Sequence, residues 1–585
     1  MIFVQNITLI LSTLILFTLC GWSVIAPFGR QIAFPVAGAA LSGLMLLSCA
    51  ALAVHVVLMM TYWKAALAAG GALLSASLVA VCVFGHRDLL KGLPYIIVVA
   101  IVLAVCATLT VTRSDIFFGA DHLGYAHMAD WIRLRVGNTP LNLPQDDAYG
   151  SYPDYLFTRD PRFGSFSLLA LISVISGRSG AFAYDLTCAI VLTAASLGVS
   201  AVFSRTRAIF VLLVVALFAS VWFDLGLVGY LGKIVGFPAT VLVMGLFFAF
   251  CRVISIEEEF PLAALGALAA IVICAVLMFN AHVTALALAV FGSLFLATRL
   301  IWQKRDSFVV RQVARSALIL AALTVLAIVS SGTIARPLYL GFIPMDVGWK
   351  ALTDWATQVM GPVGATGPLF LISSSKIVIT AIFLCISIYA MVKKSAAATS
   401  LTVGSFAVAG ILYAFDQQWR FYEISPLFVA TPFCAAATLL SRELYLANRL
   451  RFCGLVTIFL LVPIGMGLPR YAASLASLGG DASPPLYRFS LEETDQLAAA
   501  VAGGAVIDVG NGPHFNIFLV VELGGRGIPF QFSETSWRGF LGYRPWPLPR
   551  YDKPMPISIV LRSEANSASP GLLMRTTQFD VMRQP

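Results

Sequence analysis

Between Arg113 and Gly137 the chain reads RSDIFFGADHLGYAHMADWIRLRVG, which sets Asp115, Asp121 and Asp130 among two histidines and three arginines. An apolar run without a charge leads directly into this stretch. A carboxylate at such a boundary can act as a general base, taking the proton of a hydroxyl nucleophile. Asp121, Tyr125 and Ala129 follow at four-residue spacing, which predicts one shared face if the segment is helical. Carboxylates also suit Mg²⁺, Mn²⁺ or Ca²⁺. Asp115 with Asp121 is the pair from which a divalent-cation site would be built, joined by His122 and Asp160. Spacing alone does not separate these roles from that of acids that solvate a surface loop.

The elements that must position these residues are membrane helices. Of the 585 residues 59% are apolar and 11% charged, where a soluble fold carries about 25% charged residues. Apolar runs of about 17–25 residues recur, long enough to cross a hydrocarbon layer as helices. We place about fourteen spans, at 3–25, 34–59, 66–84, 93–111, 183–203, 208–222, 238–251, 262–279, 283–300, 316–333, 376–392, 399–414, 424–440 and 454–468. The first 29 residues carry no charge, which reads as a retained span with its N-terminus outside and not as a cleaved signal. The loops then predicted to be cytoplasmic hold sixteen basic residues, and the short loops opposite hold three: Lys64, Lys233 and Arg420. This is the asymmetry of the positive-inside rule, and it accounts for the net charge of +9 without nucleic acid as a partner. The run GSFSLLALISVISG (164–177) is too short to span and is predicted to lie along the interface. All ten cysteines fall in apolar runs or at their ends, so no disulfide frame or CxxC metal site is available.

The expected organisation is an all-α polytopic membrane protein with a small C-terminal α/β extracytoplasmic domain. Residues 1–111 form N-terminal membrane helices and 112–181 a first large periplasmic loop. Residues 182–468 form the membrane core with a second exterior loop at 332–375, and 469–585 form the terminal domain. In that domain Ser490 and Glu493 stand at capping-box spacing. AVIDV, IPFQF and ISIVL read as buried strands, and FNIFLVVEL reads as a helix.

The stretch DHLGYAHMADWI resembles the first exterior loop of the GT-C superfamily of membrane glycosyltransferases, in which an acidic residue beyond a span is followed by a tyrosine and a helix. DPRFGSFSLLALISVISG (160–177) is similar to the superfamily's second interfacial helix, and DQQWRFYEISPLFVATP (416–432) to its late exterior motif. Here the acidic loop follows the fourth predicted span, where the commonest families have it after the first.

This resemblance implies a GT-C-like fold and sugar transfer from a polyprenyl-phosphate donor to a glycan or glycolipid acceptor, on the periplasmic face of a bacterial inner membrane. It makes Asp121 the base for an inverting displacement. Arg420 would hold the donor phosphate, because guanidinium pairs with phosphate oxygens bidentately. Lys233, in the glycine-rich exterior turn GYLGKIVGFP, and His282, in FNAHVTAL, are further phosphate contacts. Tyr125, His122, Asp160 and Tyr422 would contact the substrate. A polysaccharide polymerase or ligase, or a transporter or flippase of lipid-linked glycans, is the competing expectation. Transport is the less consistent of these, because the ionisable groups lie mainly in loops and at span ends.

Overall fold

The computed structural model describes residues 2–85, 92–110, 115–116, 120–137, 163–218, 231–257, 262–278, 489–510, 513–536, 555–563 and 571–584, together with the single positions Gln312, Ser316, Tyr389, Thr399, Cys434, Ala437 and Thr438. Among the described residues ten α-helices come before the C-terminal domain: α1 (Ile2–Ile25), α2 (Pro35–Val57), α3 (Tyr62–Phe84), α4 (Leu93–Thr110), α5 (Ala120–Leu134), α6 (Phe163–Ser176), α7 (Gly180–Phe203), α8 (Arg207–Ala216), α9 (Leu231–Glu257) and α10 (Leu262–Met278). Each span predicted up to residue 279 overlaps one of them, although 208–222 meets only the 10-residue α8. The spans predicted from 283 onward lie, apart from those single positions, outside the described residues. Among the described residues five helical stretches are long and apolar enough to cross a membrane: Phe3–Phe28, Pro35–Val57, Tyr62–Phe84, Gly180–Phe203 and Ile234–Val253. Helix suits such runs because every backbone polar group is satisfied within the segment.

The bundle is built around α7, which is buried along nearly its whole length and meets α2, α4, α5, α6, α8 and α9. Alanines and Gly198 let its neighbours come close; a Cβ on Gly198 would lie 2.5 Å from Leu41. By contrast α3 and α4 turn large apolar side chains outward, among them Leu67, Leu78, Val79, Ile97 and Val98. Exposed apolar faces of that extent belong against lipid or another apolar surface.

Two expectations change. Residues 164–177 do not lie along a surface: every residue of α6 from Gly164 to Ser173 is buried, between α2, α5, α7 and α10. The run is apolar all round, and such a helix belongs inside a bundle. Its serines are satisfied by neighbouring carbonyls, Ser165 donating to Met278 O at 2.7 Å and Ser167 to Ser48 O at 2.7 Å. The glycine-rich stretch at 229–238 is likewise no turn from Leu231 onward. It forms the start of α9, which continues through Pro238, and every residue from Pro238 to Cys251 is buried. Packing on all sides outweighs the one backbone bond that proline removes.

The C-terminal domain carries α11 (Leu491–Ala500) and α12 (Pro513–Gly525) with one mixed five-stranded sheet. Its strands are β3 (Ala505–Asp508), β4 (Phe530–Phe532), β5 (Ile557–Leu561), β6 (Leu572–Arg575) and β7 (Phe579–Arg583), in the order β4-β3-β5-β7-β6. β3 runs parallel to β4 and β5, and β7 antiparallel to β5 and β6. The three predicted strands are β3, β4 and β5. The β6–β7 hairpin was not predicted, because its turn, Thr576-Thr577-Gln578, lacks glycine, proline and asparagine. Thr576 replaces them by accepting the Phe579 N–H on its hydroxyl at 2.8 Å. A further pair, β1 (Asp115–Ile116) with β2 (Phe489–Ser490), joins the first loop to the start of this domain.

Ser490 caps α11 as its spacing predicts, accepting the Glu493 N–H at 3.1 Å. The reciprocal arm is diverted: Glu493 Oε1 accepts from the Thr577 hydroxyl at 2.6 Å and its N–H at 3.2 Å, which ties α11 to the hairpin turn. Ser490→Ala is expected to weaken this helix by about 1 kcal/mol. Hydrogen exchange should show that as roughly fivefold faster opening of the α11 amides.

Candidate functional site

The polar stretch after α4 folds as α5, so Asp121 and His122 stand in the first turn of a helix. From Tyr125 to Ile132 every residue is buried. The reason is that α5 is sandwiched, with α6 and α7 on one side and α12 of the C-terminal domain on the other. Small residues make the crossing tight: a Cβ on Gly180, at the start of α7, would lie 2.6 Å from Ala126 O. Ala126, Ala181 and Phe182 belong to the same apolar cluster as the core of the C-terminal domain. That shared cluster also explains why FNIFLVVEL is mostly apolar, with only Asn516 and Glu522 as polar side chains, since α12 is covered both by the sheet and by the bundle.

One turn beyond Asp121, the Tyr125 ring lies 5.2 Å from Phe166 and 6.1 Å from Tyr184. The Tyr184 hydroxyl accepts the Leu231 N–H at 3.0 Å, holding the start of α9, where Lys233 stands two residues further on. The aromatic contacts therefore join the start of the Asp121 helix to the start of the Lys233 helix. Tyr125 is 2% exposed and serves as the wall between these elements.

All of this occupies one end of the bundle. The α2–α3 connection meets the end of α5 there, with Gly137 N–H donating to Met60 O at 3.2 Å and Thr61 bridging to Val136. Arg178, between α6 and α7, reaches the start of α1 and donates to Asn6 Oδ1 at 2.8 Å. At the opposite end lie Arg205 and Arg207, where Tyr95 donates to Arg207 O at 3.2 Å, and Arg252, which feels the charge of Arg205.

The start of α7 also gathers charged groups that the sequence did not single out as a site. Gly180 N–H donates to both carboxylate oxygens of Asp130 at 3.0 Å, and Arg133 pairs with the same carboxylate at 3.1 Å. Arg133 also donates to Gly525 O at 3.2 Å, which fastens α5 to the end of α12. Ser179 donates to Glu522 Oε1 at 2.6 Å. Arg526 bridges Glu522 at 3.3 Å and Asp495 at 2.7 Å. Burial pushes the Asp130 carboxyl up to about 6, against the pull of Arg133 and the Gly180 N–H. Burial, helped by the nearby Asp130 charge, pushes Glu522 up to about 7. The local signals were present, Asp130 with Arg133 at i,i+3 and Glu522 with Arg526 at i,i+4. Nothing in the sequence joined the two pairs.

Of the predicted site residues, the structure puts Asp121, His122 and Tyr125 on α5, Asp115 in β1 and Lys233 in the first turn of α9. Asp160, His282, Arg420 and Tyr422 lie outside the described residues. Among the described residues no group of three or more His, Cys, Asp or Glu side chains is gathered as a cation site would need. No protein-family model matches the chain, and a comparison with curated proteins finds no match.

Proposed function

We propose that this protein is a membrane glycosyltransferase of the GT-C type, which moves a sugar from a polyprenyl-phosphate donor to a glycan or glycolipid acceptor. The reading is carried by the convergence of the α5 start, bearing Asp121, with the α9 start, bearing Lys233, through Tyr125, Tyr184 and Leu231. That end of the bundle also bears the C-terminal domain. The other end bears Arg205, Arg207 and Arg252, so the positive-inside rule supports a periplasmic site in an inner membrane.

Asp121 takes the proton of the acceptor hydroxyl as its oxygen attacks the anomeric carbon. The bond from that carbon to the phosphate oxygen breaks, and the polyprenyl phosphate leaves with the electron pair. The anomeric centre inverts, and the proton held by Asp121 returns to water. A lipid phosphate is already a good leaving group, so the protein has mainly to hold and neutralise it. Lys233, His282 and Arg420 are assigned to that task, and His122, Tyr125, Asp160 and Tyr422 to the sugar and acceptor. Tyr125 contributes by shaping the wall.

The test is reconstitution of the full chain in vesicles with polyprenyl-phosphate sugars as donors. A new glycosidic bond of inverted configuration is the expected product. Movement of the lipid-linked glycan across the vesicle without bond formation would make the protein a transporter and overturn the reading.

A further inference from the structure

Asp130 and Glu522 come from segments far apart in the chain, and both are sealed from solvent. They share one helix start: Gly180 N–H serves Asp130 and the Ser179 hydroxyl serves Glu522. Among the described residues the other charged groups at the junction are Arg133 on α5, Arg526 after α12 and, through Arg526, Asp495 on α11. His127, one turn before Asp130 on α5, is also buried. Three carboxylates thus meet two guanidiniums. Arg526 decides which carboxylate is left short: it lies 2.7 Å from Asp495 but 3.3 Å from Glu522, so its stronger bond goes to the exposed acid. Glu522 keeps the Ser179 hydroxyl as its one short contact. The helix start supplies only about half a positive charge to two dry carboxylates, and one proton would remove the excess.

We propose that Asp130 and Glu522 together bind one exchangeable proton that fastens the C-terminal domain to α5, so that docking of this domain tightens as pH falls and loosens as it rises. The proton is exchanged with bulk water, and only an O–H bond is made or broken. Both carboxyls are held above the ordinary range when docked, near 6 for Asp130 and near 7 for Glu522, chiefly by burial. The sign follows. A group whose docked pKa is raised favours docking fully below its ordinary pKa, and that contribution is lost as pH rises through the docked value. The window therefore runs from about pH 4 to about pH 7, with the two acids titrating as a pair.

The test is hydrogen exchange on the full chain in lipid nanodiscs, corrected for the intrinsic pH dependence of amide exchange and read at residues 126–134 and 516–525. One linked proton changes an equilibrium by at most about tenfold per pH unit, so opening of the junction should grow by about tenfold or more from pH 5.5 to pH 7.5. Glu522→Gln keeps the size and the Ser179 contact but cannot ionise, and it should flatten that rise. Asp495→Asn should free Arg526 to move onto Glu522 and shift the transition down by roughly half a pH unit or more. A junction whose protection does not change over this range, or Glu522→Gln with the wild-type slope, overturns the proposal. Should Glu522→Gln fail to assemble, Asp495→Asn decides alone, and an unmoved transition overturns the proposal. The readout is docking and not sugar transfer, so its outcome is independent of the proposed activity.

Discussion

Under the proposed glycosyltransfer, Asp121→Asn should lower kcat by about 10²- to 10⁴-fold, the usual contribution of a positioned general base. The substitution keeps the size of the side chain and removes only its capacity to take a proton. Acceptor KM should therefore change little, since the group is needed in the transition state and not for binding. The informative control lies on the same helix. Asp130 accepts from Gly180 N–H and pairs with Arg133, so its side chain serves the junction and not the reaction. Asp130→Asn should flatten part of the pH-dependent opening of α5 from α12, visible in hydrogen exchange, while Asp121→Asn should leave that junction intact. Full transfer activity in Asp121→Asn would overturn the base assignment and favour a polymerase or ligase, which relies on arginine and histidine. A polymerised product from the same assay would confirm that alternative.

The parts of the fold that could be read from the sequence are those governed by a single local rule. Uncharged runs of sufficient length became α1, α2 and α3 because backbone satisfaction in lipid depends on length and polarity alone. Ser490 became an N-cap because the cap bond spans three residues. What could not be read depends on how many sides of a segment are covered. Length alone places the 164–177 run at an interface, whereas α6 is buried from Gly164 to Ser173, with Ser165 and Ser167 donating to carbonyls on α10 and α2. The glycines near Lys233 read as a turn until the surrounding helices are in place. The C-terminal domain shows the same limit. Its helix α12 was found, but that α12 covers α5, and so places Glu522 beside Ser179 across 343 positions, follows only from the three-dimensional arrangement. The candidate site divides along this line. Asp121 and Tyr125 are joined by helical spacing, and Asp130 and Glu522 by packing.

Gly43→Ala should destabilise the protein by about 2–3 kcal/mol, although alanine is the better helix former by about 1 kcal/mol. The reason is backbone-on-backbone contact between α1 and α2. A Cβ on Gly43 would lie 1.7 Å from Phe17 O, and one on Gly21 would lie 2.1 Å from Ala39 O. Neither obstacle is a side chain that can rotate away, so the two helices would have to separate. Small residues at crossings are what permits such approach in membrane bundles. Gly71, on the outer face of α3, is the matched control. Nothing lies within 4 Å of a Cβ there, so Gly71→Ala should be neutral or stabilising by up to about 1 kcal/mol. Thermal unfolding in detergent compares the two directly, and a Gly43→Ala protein as stable as Gly71→Ala would show that the crossing is not tight. The consequence reaches the candidate site through a short chain of contacts. Ser48 on α2 accepts from Ser167 on α6, Phe166 stands against Tyr125, and Tyr125 holds the start of α5. A wider α1–α2 crossing should thus reduce sugar transfer as well as stability, while leaving intact the chemical group at Asp121.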